Sequence, residues 1–206
     1  MEGKFITLEG PDGSGKTTAA SIIVEQLKAQ GYKVLLTREP GGIDIAEQIR
    51  KIILDKNNTA MEARTEALLY AAARRQHLVE KVLPAIKEGY IVICDRFVDS
   101  SLVYQGVGRG IGIKEVYDMN LFAIGDIMPT KTIFFDIPYL EGLKRISNDN
   151  RETDRLDLES NNFHKQVYEG YLKICDMYPE RIVKIDARKT VDEVVDQVMT
   201  EIKKII

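Results

Sequence analysis

The sequence predicts an α/β fold: one parallel sheet of five strands with helices packed against both faces. Three observations carry that prediction. Five short apolar runs are spread along the chain, helical patterns lie between them, and a glycine-rich turn joins the first run to the first helical pattern. Several of the runs are apolar at nearly every position, as strands buried on both faces are. Strand–helix alternation implies right-handed crossovers, and ligands in such folds sit beyond the carboxyl ends of the strands.

In chain order, KFITLE (4–9) is the first strand. Lys16–Gln30 follows as a helix with Ile22, Ile23 and Leu27 on one side, and Gly31 is a natural stop. KVLLTR (33–38) is the second strand, followed by a short helix over Ala46–Leu54 and a long one over Arg64–Lys87. YIVICD (90–95), KTIFFDI (131–137) and RIVKID (181–186) supply the remaining strands. The last helix opens with Thr190 followed by Glu193, a capping-box pattern that satisfies free amides reciprocally. Its apolar stripe, from Val191 through Val194, Val195, Val198, Met199 and Ile202 to Ile205, reads as core packing.

The bulk properties narrow the class. A chain of 206 residues fits a single domain, 1–206, with core enough to need no disulfide or metal. Hydrophobic and charged fractions of 44% and 30% are those of a globular protein. A net charge of −3 argues against a nucleic-acid polymer as partner. No apolar run approaches the ~20 residues of a membrane span, and the N-terminus does not read as a signal peptide. Cys94 and Cys175 are far apart and form no CxxC, so they read as reduced thiols and the expected compartment is the cytoplasm. His77 and His164 lack ligand-spaced neighbours, so they read as surface or helix-face residues and no zinc site is expected.

GPDGSGKT (10–17) satisfies G-x-x-x-x-G-K-[ST] between a strand and a helix, the setting of a P-loop in a three-layer NTPase-type fold. Gly10, Gly13 and Gly15 free the backbone to turn its N–H groups toward phosphate oxygens at the positive end of the first helix. Pro11, Asp12, Ser14 and Thr18 complete the expected ATP cradle. Lys16 can reach the β and γ phosphates, and the Thr17 hydroxyl can ligate Mg²⁺. Asp95 ends its strand beside the cradle and is the expected second Mg²⁺ contact, with Asp136 as a lower-ranked competitor. Asp12 poses a problem, since it places a negative charge inside a loop built for anions.

Arginine is more abundant near the strand ends than nucleotide hydrolysis explains. Arg38, Arg50, Arg74, Arg75 and Arg96 could surround a second anion, and Arg96 has the most fixed direction because it ends a strand. The polar stretch NDNRETDRLDLE carries Arg151 and Arg155 at i, i+4 spacing, on one face if helical. It reads as a lid, about 148–160, lowering cations onto a transferring phosphoryl group. Two phosphate sites and a lid describe a kinase acting on a small phosphorylated acceptor. The acceptor phosphate is already largely ionised near neutral pH, its second pKa being about 6, so no strong general base is needed. A related nucleoside kinase is the nearest alternative. A GTPase-like switch would need an N-K-x-D segment, which the sequence lacks, and would leave the acceptor-side arginines without purpose.

FITLEGPDGSGKTT, TREPGG, RTEALLYAAARRQH, CDRFVDSSLVYQG and DRLDLE, in that order over essentially the whole chain, resemble bacterial thymidylate kinase. The resemblance implies transfer of phosphate from ATP to dTMP with Mg²⁺, giving dTDP on the route to dTTP, by a protein that is usually a homodimer. It implies that Arg96 clamps the dTMP phosphate with Arg74 and Arg50, that Tyr70 stacks on thymine, and that Ser101 and Gln105 bond the base edge. Tyr104 is implied under the deoxyribose and Glu39 on the dTMP side. Asp12 would accept a hydrogen bond from the 3′-hydroxyl, while Glu9 has only a strand-orienting role to suggest. Ala187 and Arg188 match the adenine-side loop. Lys16, Arg96, Arg151 and Arg155 are the implied catalytic cations. Two departures stand out: Gly13 occupies a position where some members carry an arginine, and Phe97 replaces a common tyrosine.

Overall fold

A computed structural model of the protein describes residues 3–148 and 154–206, so Arg151 lies outside the described residues. The five strands are β1 (Lys4–Glu9), β2 (Val34–Arg38), β3 (Ile91–Asp95), β4 (Lys131–Asp136) and β5 (Ile182–Asp186). They pair in the order β2-β3-β1-β4-β5, and every neighbouring pair is parallel. Each predicted strand is present to within one residue at either end. β1 is central, with β3 on one side and β4 on the other, so the loop after β1 emerges where the crossovers part to opposite sides of the sheet.

Strand alternation divides the core in two. Phe5, Val92, Cys94, Phe134 and Ile182 face one layer. Ile6, Leu8, Ile93, Ile133 and Ile185 face the other, where they meet α1 (Lys16–Ala29) and α9 (Val191–Lys203). Thr190 and Glu193 form the predicted capping box. Of the expected stripe on α9, Val194, Val195, Val198, Met199 and Ile202 are buried, but Val191 is 47% exposed because it lies in the first turn, beyond the core.

The remaining helices are α2 (Asp44–Leu54), α3 (Ala63–His77), α4 (Leu83–Lys87), α5 (Val98–Ser101), α6 (Ile113–Ile124), α7 (Tyr139–Ser147) and α8 (Asn161–Met177). The expected continuous helix over Arg64–Lys87 widens into a π-helical stretch at Leu78–Val82, between α3 and α4. Pro84, which has no N–H to donate, sits just beyond it. A second wide stretch, Leu102–Gly108, continues α5 and carries Tyr104 and Gln105. Of the surface and helix-face alternatives for the histidines, the helix-face one holds and the surface one fails. His77 is fully buried and His164 is 6% exposed, because the faces of α3 and α8 that carry them point inward. Cys94 and Cys175 are free and buried. Among the described residues no helix is long and apolar enough to cross a membrane.

Candidate active site

A cavity of about 640 Å³ opens at the carboxyl ends of the strands. The glycine-rich loop lines one end, from Asp12 to Thr18. Gly13 has φ +75°, and a Cβ there would sit 2.2 Å from the Gly142 carbonyl oxygen of α7. A side chain here would need α7 to shift and the backbone to hold a disfavoured φ, so glycine suits the loop as packed. Lys16 donates to Gly10 O, Pro11 O and Ser14 Oγ, each at 3.0 Å, so its ammonium is folded back onto the loop. Burial, followed by the charge of Arg96, lowers it from 10.5 to about 8.

Thr17 Oγ1 donates to Asp95 Oδ2 at 2.9 Å. Asp95 Oδ1 is buried without a hydrogen-bond partner. A hydroxyl and an unanswered carboxylate oxygen form a hard oxygen-donor set that suits a divalent cation such as Mg²⁺. Asp136, the competitor, accepts from Tyr168 at 3.1 Å and does not line the cavity.

Arg96 dominates the other end. It is the one non-glycine residue with positive φ among the described residues, at +70°. Such a conformation costs roughly 1–2 kcal/mol and needs support from its surroundings. The support comes from main-chain bonding and from Glu9. Arg96 N–H donates to Leu8 O at 2.9 Å, and Phe97 N–H to Glu9 Oε1 at 2.7 Å. Glu9 Oε2 accepts from Ser100 at 2.6 Å and Tyr171 at 3.0 Å. Burial, and then the Asp99 charge, raises the Glu9 carboxyl to about 7. Thus Glu9, read from sequence only as orienting the strand end, shapes the turn that aims the arginine.

The Arg96 guanidinium touches both ends of the cavity. Its NH1 donates to Gly10 O at 3.0 Å and to Ser100 Oγ and Tyr171 OH at 3.1 Å. Its NH2 donates to Asp12 Oδ1 at 2.6 Å and to Tyr104 OH at 3.2 Å. Asp12 Oδ2 accepts from Tyr104 OH at 2.8 Å. Burial alone would raise the Asp12 carboxyl, but Arg96 and Lys16 outweigh it and hold the group well below the usual carboxylate range. The acid in the anion cradle is therefore the counter-ion of Arg96.

The structure sorts the other arginines. Arg50 lines the cavity and donates to the Pro40 carbonyl at 2.9 Å. Burial and the neighbouring Arg38 lower its pKa, as two cations facing one space would. Arg38 also lines the cavity, half-exposed and paired with Glu47. Arg74 lines the cavity too, with its guanidinium committed to protein partners. Its side chain is 2% exposed and donates to Glu39 at 2.7 Å, Phe97 O at 3.0 Å, Ser101 Oγ at 3.1 Å and Asn120. Its guanidinium is thus built into the wall that holds Glu39 and Ser101. Arg75 reaches Ala123 O at 3.3 Å and stays outside the cavity.

Arg155 departs from expectation. The described lid residues 154–160 form turns, and Arg151 of the i, i+4 pair lies outside the described residues. Arg155 donates to Ile53 O at 2.8 Å and to Glu66 Oε2 at 2.5 Å, away from the cavity lining. Arg188 is exposed, is paired with Asp186 at 2.8 Å and does not line the cavity. Tyr70, Ser101, Tyr104, Gln105 and Glu39 all line it, as does Thr18. Glu39 also accepts from His77 Nδ1 at 3.0 Å, and His77 Nε2 lies 2.7 Å from Thr37 Oγ1. Glu39, His77 and Cys94 cluster closely enough to resemble metal ligands, but their polar atoms bond to one another and to adjacent groups.

Sequence reasoning missed Arg145, whose NH2 donates to Ala187 O at 3.1 Å beside the phosphate loop. It also missed Tyr171, Glu66 and Arg109. Tyr171 and Arg109 lie on a helix and a turn outside the quoted motifs, and Glu66, though inside RTEALLYAAARRQH, bonds to Gln105, Arg109 and Arg155 only through the fold.

The family model described as Thymidylate kinase matches residues 8–198. A thymidylate kinase of Bacillus velezensis is 61% identical over 205 residues, covering 99% of this chain and 97% of the relative. One of Clostridium novyi is 60% identical over 198 residues, covering 96% and 97%. The solved thymidylate kinase of Ehrlichia chaffeensis superposes with a TM-score of 0.79 at 31% identity, over 98% and 99% of the two chains.

Proposed function

Since the chain belongs to the thymidylate kinase family and phosphorylates dTMP, we propose that ATP and dTMP occupy opposite ends of this one cavity, with Arg96 at the seam. The observation that carries the proposal is the double engagement of Arg96, with the phosphate loop through Gly10 and Asp12 and with the acceptor wall through Ser100 and Tyr104.

The amides at the start of α1, with Lys16 and Thr18, hold the ATP phosphates. Lys16 exchanges its three loop acceptors for phosphate oxygens. Arg145, Ala187 and Arg188 lie on the adenine side. Thr17 and Asp95 would hold Mg²⁺, which when bound neutralises charge on the donor phosphates. Arg96, Arg50 and Arg38 receive the dTMP phosphate. Tyr70 stacks on the base, while Ser101 and Gln105 meet its edge against the wall made by Arg74 and Glu39. Asp12 and Tyr104 meet the sugar. No side chain needs to take a proton, because the attacking phosphate oxygen is already ionised. Alignment and charge neutralisation supply the catalysis. Arg151 and the segment 148–160 serve as the lid that keeps water from the reaction.

Steady-state inhibition tests the two-ended cavity. An adenosine–thymidine bisubstrate polyphosphate should compete with both ATP and dTMP while the enzyme makes dTDP from them. Competition with only one substrate would refute the arrangement.

The enzyme is further proposed to be a cytoplasmic homodimer. Within the Ala67–Ala73 stretch, Ala67, Ala71 and Ala73 pack inward, but Leu68 is 58% exposed. Beside it α6 presents Phe122 at 95% exposure and Leu121 at 38%. A second copy covering this α3–α6 face would bury them. Sedimentation should show a dimer that Phe122→Arg converts to monomer, and a monomeric wild-type protein would sink the idea.

A further inference from the structure

Glu66 lies on α3 behind the acceptor wall, with its side chain 1% exposed. Donors from three parts of the chain converge on it. Gln105 Nε2 donates to Oε1 at 2.9 Å, Arg109 donates through Nε and NH2 at 3.1 to 3.3 Å, and Arg155 NH2 donates to Oε2 at 2.5 Å. Arg109 also pairs with Glu159 at 2.6 Å. Arg155 fixes its main-chain N–H on Leu54 O at 3.2 Å. The segment 154–160 is therefore held to α2 through Leu54 O and Ile53 O, and to α3 through the buried Glu66 carboxylate.

An ionised carboxylate only accepts hydrogen bonds. Glu66 consequently fixes the Gln105 amide with its nitrogen turned toward the carboxylate. With one N–H committed to Glu66 and the nitrogen turned toward it, the carbonyl oxygen is turned away and is the acceptor Gln105 can offer the cavity that it lines. An acceptor suits the thymine ring, whose nitrogen between the two carbonyls carries a hydrogen. Cytosine has a lone pair at that position and leaves two acceptors facing each other, a mismatch that binding sites reject strongly.

We infer that Glu66 is a positioning residue with two duties: it holds Gln105 as an acceptor, setting base selectivity, and it ties that reading to the lid segment through Arg109 and Arg155. The inference rests on the reading that Gln105 meets the base of dTMP. A purely structural ion-pair hub would need only the two arginines. The third donor is the amide of a cavity residue, and that makes the hub part of recognition.

The test measures kcat/KM for dTMP against dCMP, and hydrogen-exchange protection of 154–160 with and without dTMP. Glu66→Gln should lower the dTMP preference by about tenfold or more, mainly through KM, and abolish the protection that dTMP adds. Arg109→Leu leaves the Gln105–Glu66 bond in place, so it should keep the preference and lose part of the protection. A folded Glu66→Gln with both readouts at wild-type level overturns the inference. If Glu66→Gln does not fold, Arg109→Leu decides: preference kept with protection reduced supports the inference, and any other combination overturns it. Gln105→Leu checks the underlying reading separately, since an unchanged preference there would remove Gln105 from the base site whatever Glu66 does.

Discussion

The two ends of the cavity are built in different ways. The donor end is a run of consecutive residues, Gly10 to Thr17, whose work is done by backbone amides and one lysine. The acceptor end draws side chains from the loop after β2, α2, α3, the end of β3, α5 and the wide stretch after it. At the donor end geometry comes from glycine conformation. At the acceptor end it comes from charges that answer one another: Asp12 answers Arg96, Glu39 answers Arg74, and Glu66 answers Arg109 and Arg155. A local motif can be read from its spacing, whereas a network is specified only by the fold.

Breaking each end once should give opposite kinetic patterns, and the acceptor break should be larger. Arg96→Ala removes the seam cation and leaves the partly exposed Asp12 without its partner. Truncating one partner of such a pair costs on the order of 2–5 kcal/mol. The expected result is a fall of about a thousandfold in kcat/KM for dTMP, with weakened dTMP binding in calorimetry. Near-normal dTMP affinity would contradict the assignment. Gly13→Ala should instead raise KM for ATP by about tenfold and destabilise the protein by roughly 1–3 kcal/mol, because its methyl group meets the Gly142 carbonyl. Gly15→Ala is the control: φ there is +83° but the space is open, so only the backbone cost of roughly 1–2 kcal/mol applies. Equal effects at the two glycines would mean that contact with α7 is not what shapes the loop.

The same contrast explains what the sequence disclosed. Apolar runs located all five strands, because a parallel sheet buried on both faces tolerates few polar positions. The phosphate loop and the Thr17–Asp95 pair were legible for a similar reason, each being fixed by strand ends and local turns. Arginine roles were not legible. Arg74 and Arg96 belong to the same residue type and both follow apolar segments. One is embedded in the wall and the other spans the seam. Their difference arises from Glu39 and Asn120, distant in sequence from Arg74, and from the left-handed turn at Arg96. A lid role for Arg155 follows from the polar, arginine-bearing stretch, but its bonds to Ile53 O and Glu66 are specified only by the fold. Both histidines do sit on helix faces, but their burial was not legible because a buried imidazole gives no periodic signal of its own.

The smallest effect, and the one that separates the ends most cleanly, is a pH dependence. In the free protein Lys16 titrates at about 8, lowered from 10.5 first by burial and then by Arg96. ATP phosphates need the ammonium form and raise its pKa when bound. ATP affinity should therefore be flat from about pH 7 to 8 and fall above that, approaching tenfold per pH unit. Stability moves in the other direction. Between about 8 and 10.5 the folded free protein binds fewer protons at this lysine than the unfolded chain does. The contribution of the group is thus fully present above 10.5 and is lost as pH falls through 8. At the acceptor end Arg96 is held well above its ordinary value by Tyr104 and Asp12 despite burial, and it stays charged throughout. Affinity for dTMP should consequently change little between about pH 7 and 9 while affinity for ATP declines. Calorimetric titration of each nucleotide across that range makes the comparison. A parallel decline of both affinities would assign the loss to a group the two ends share, and would remove Lys16 as its source.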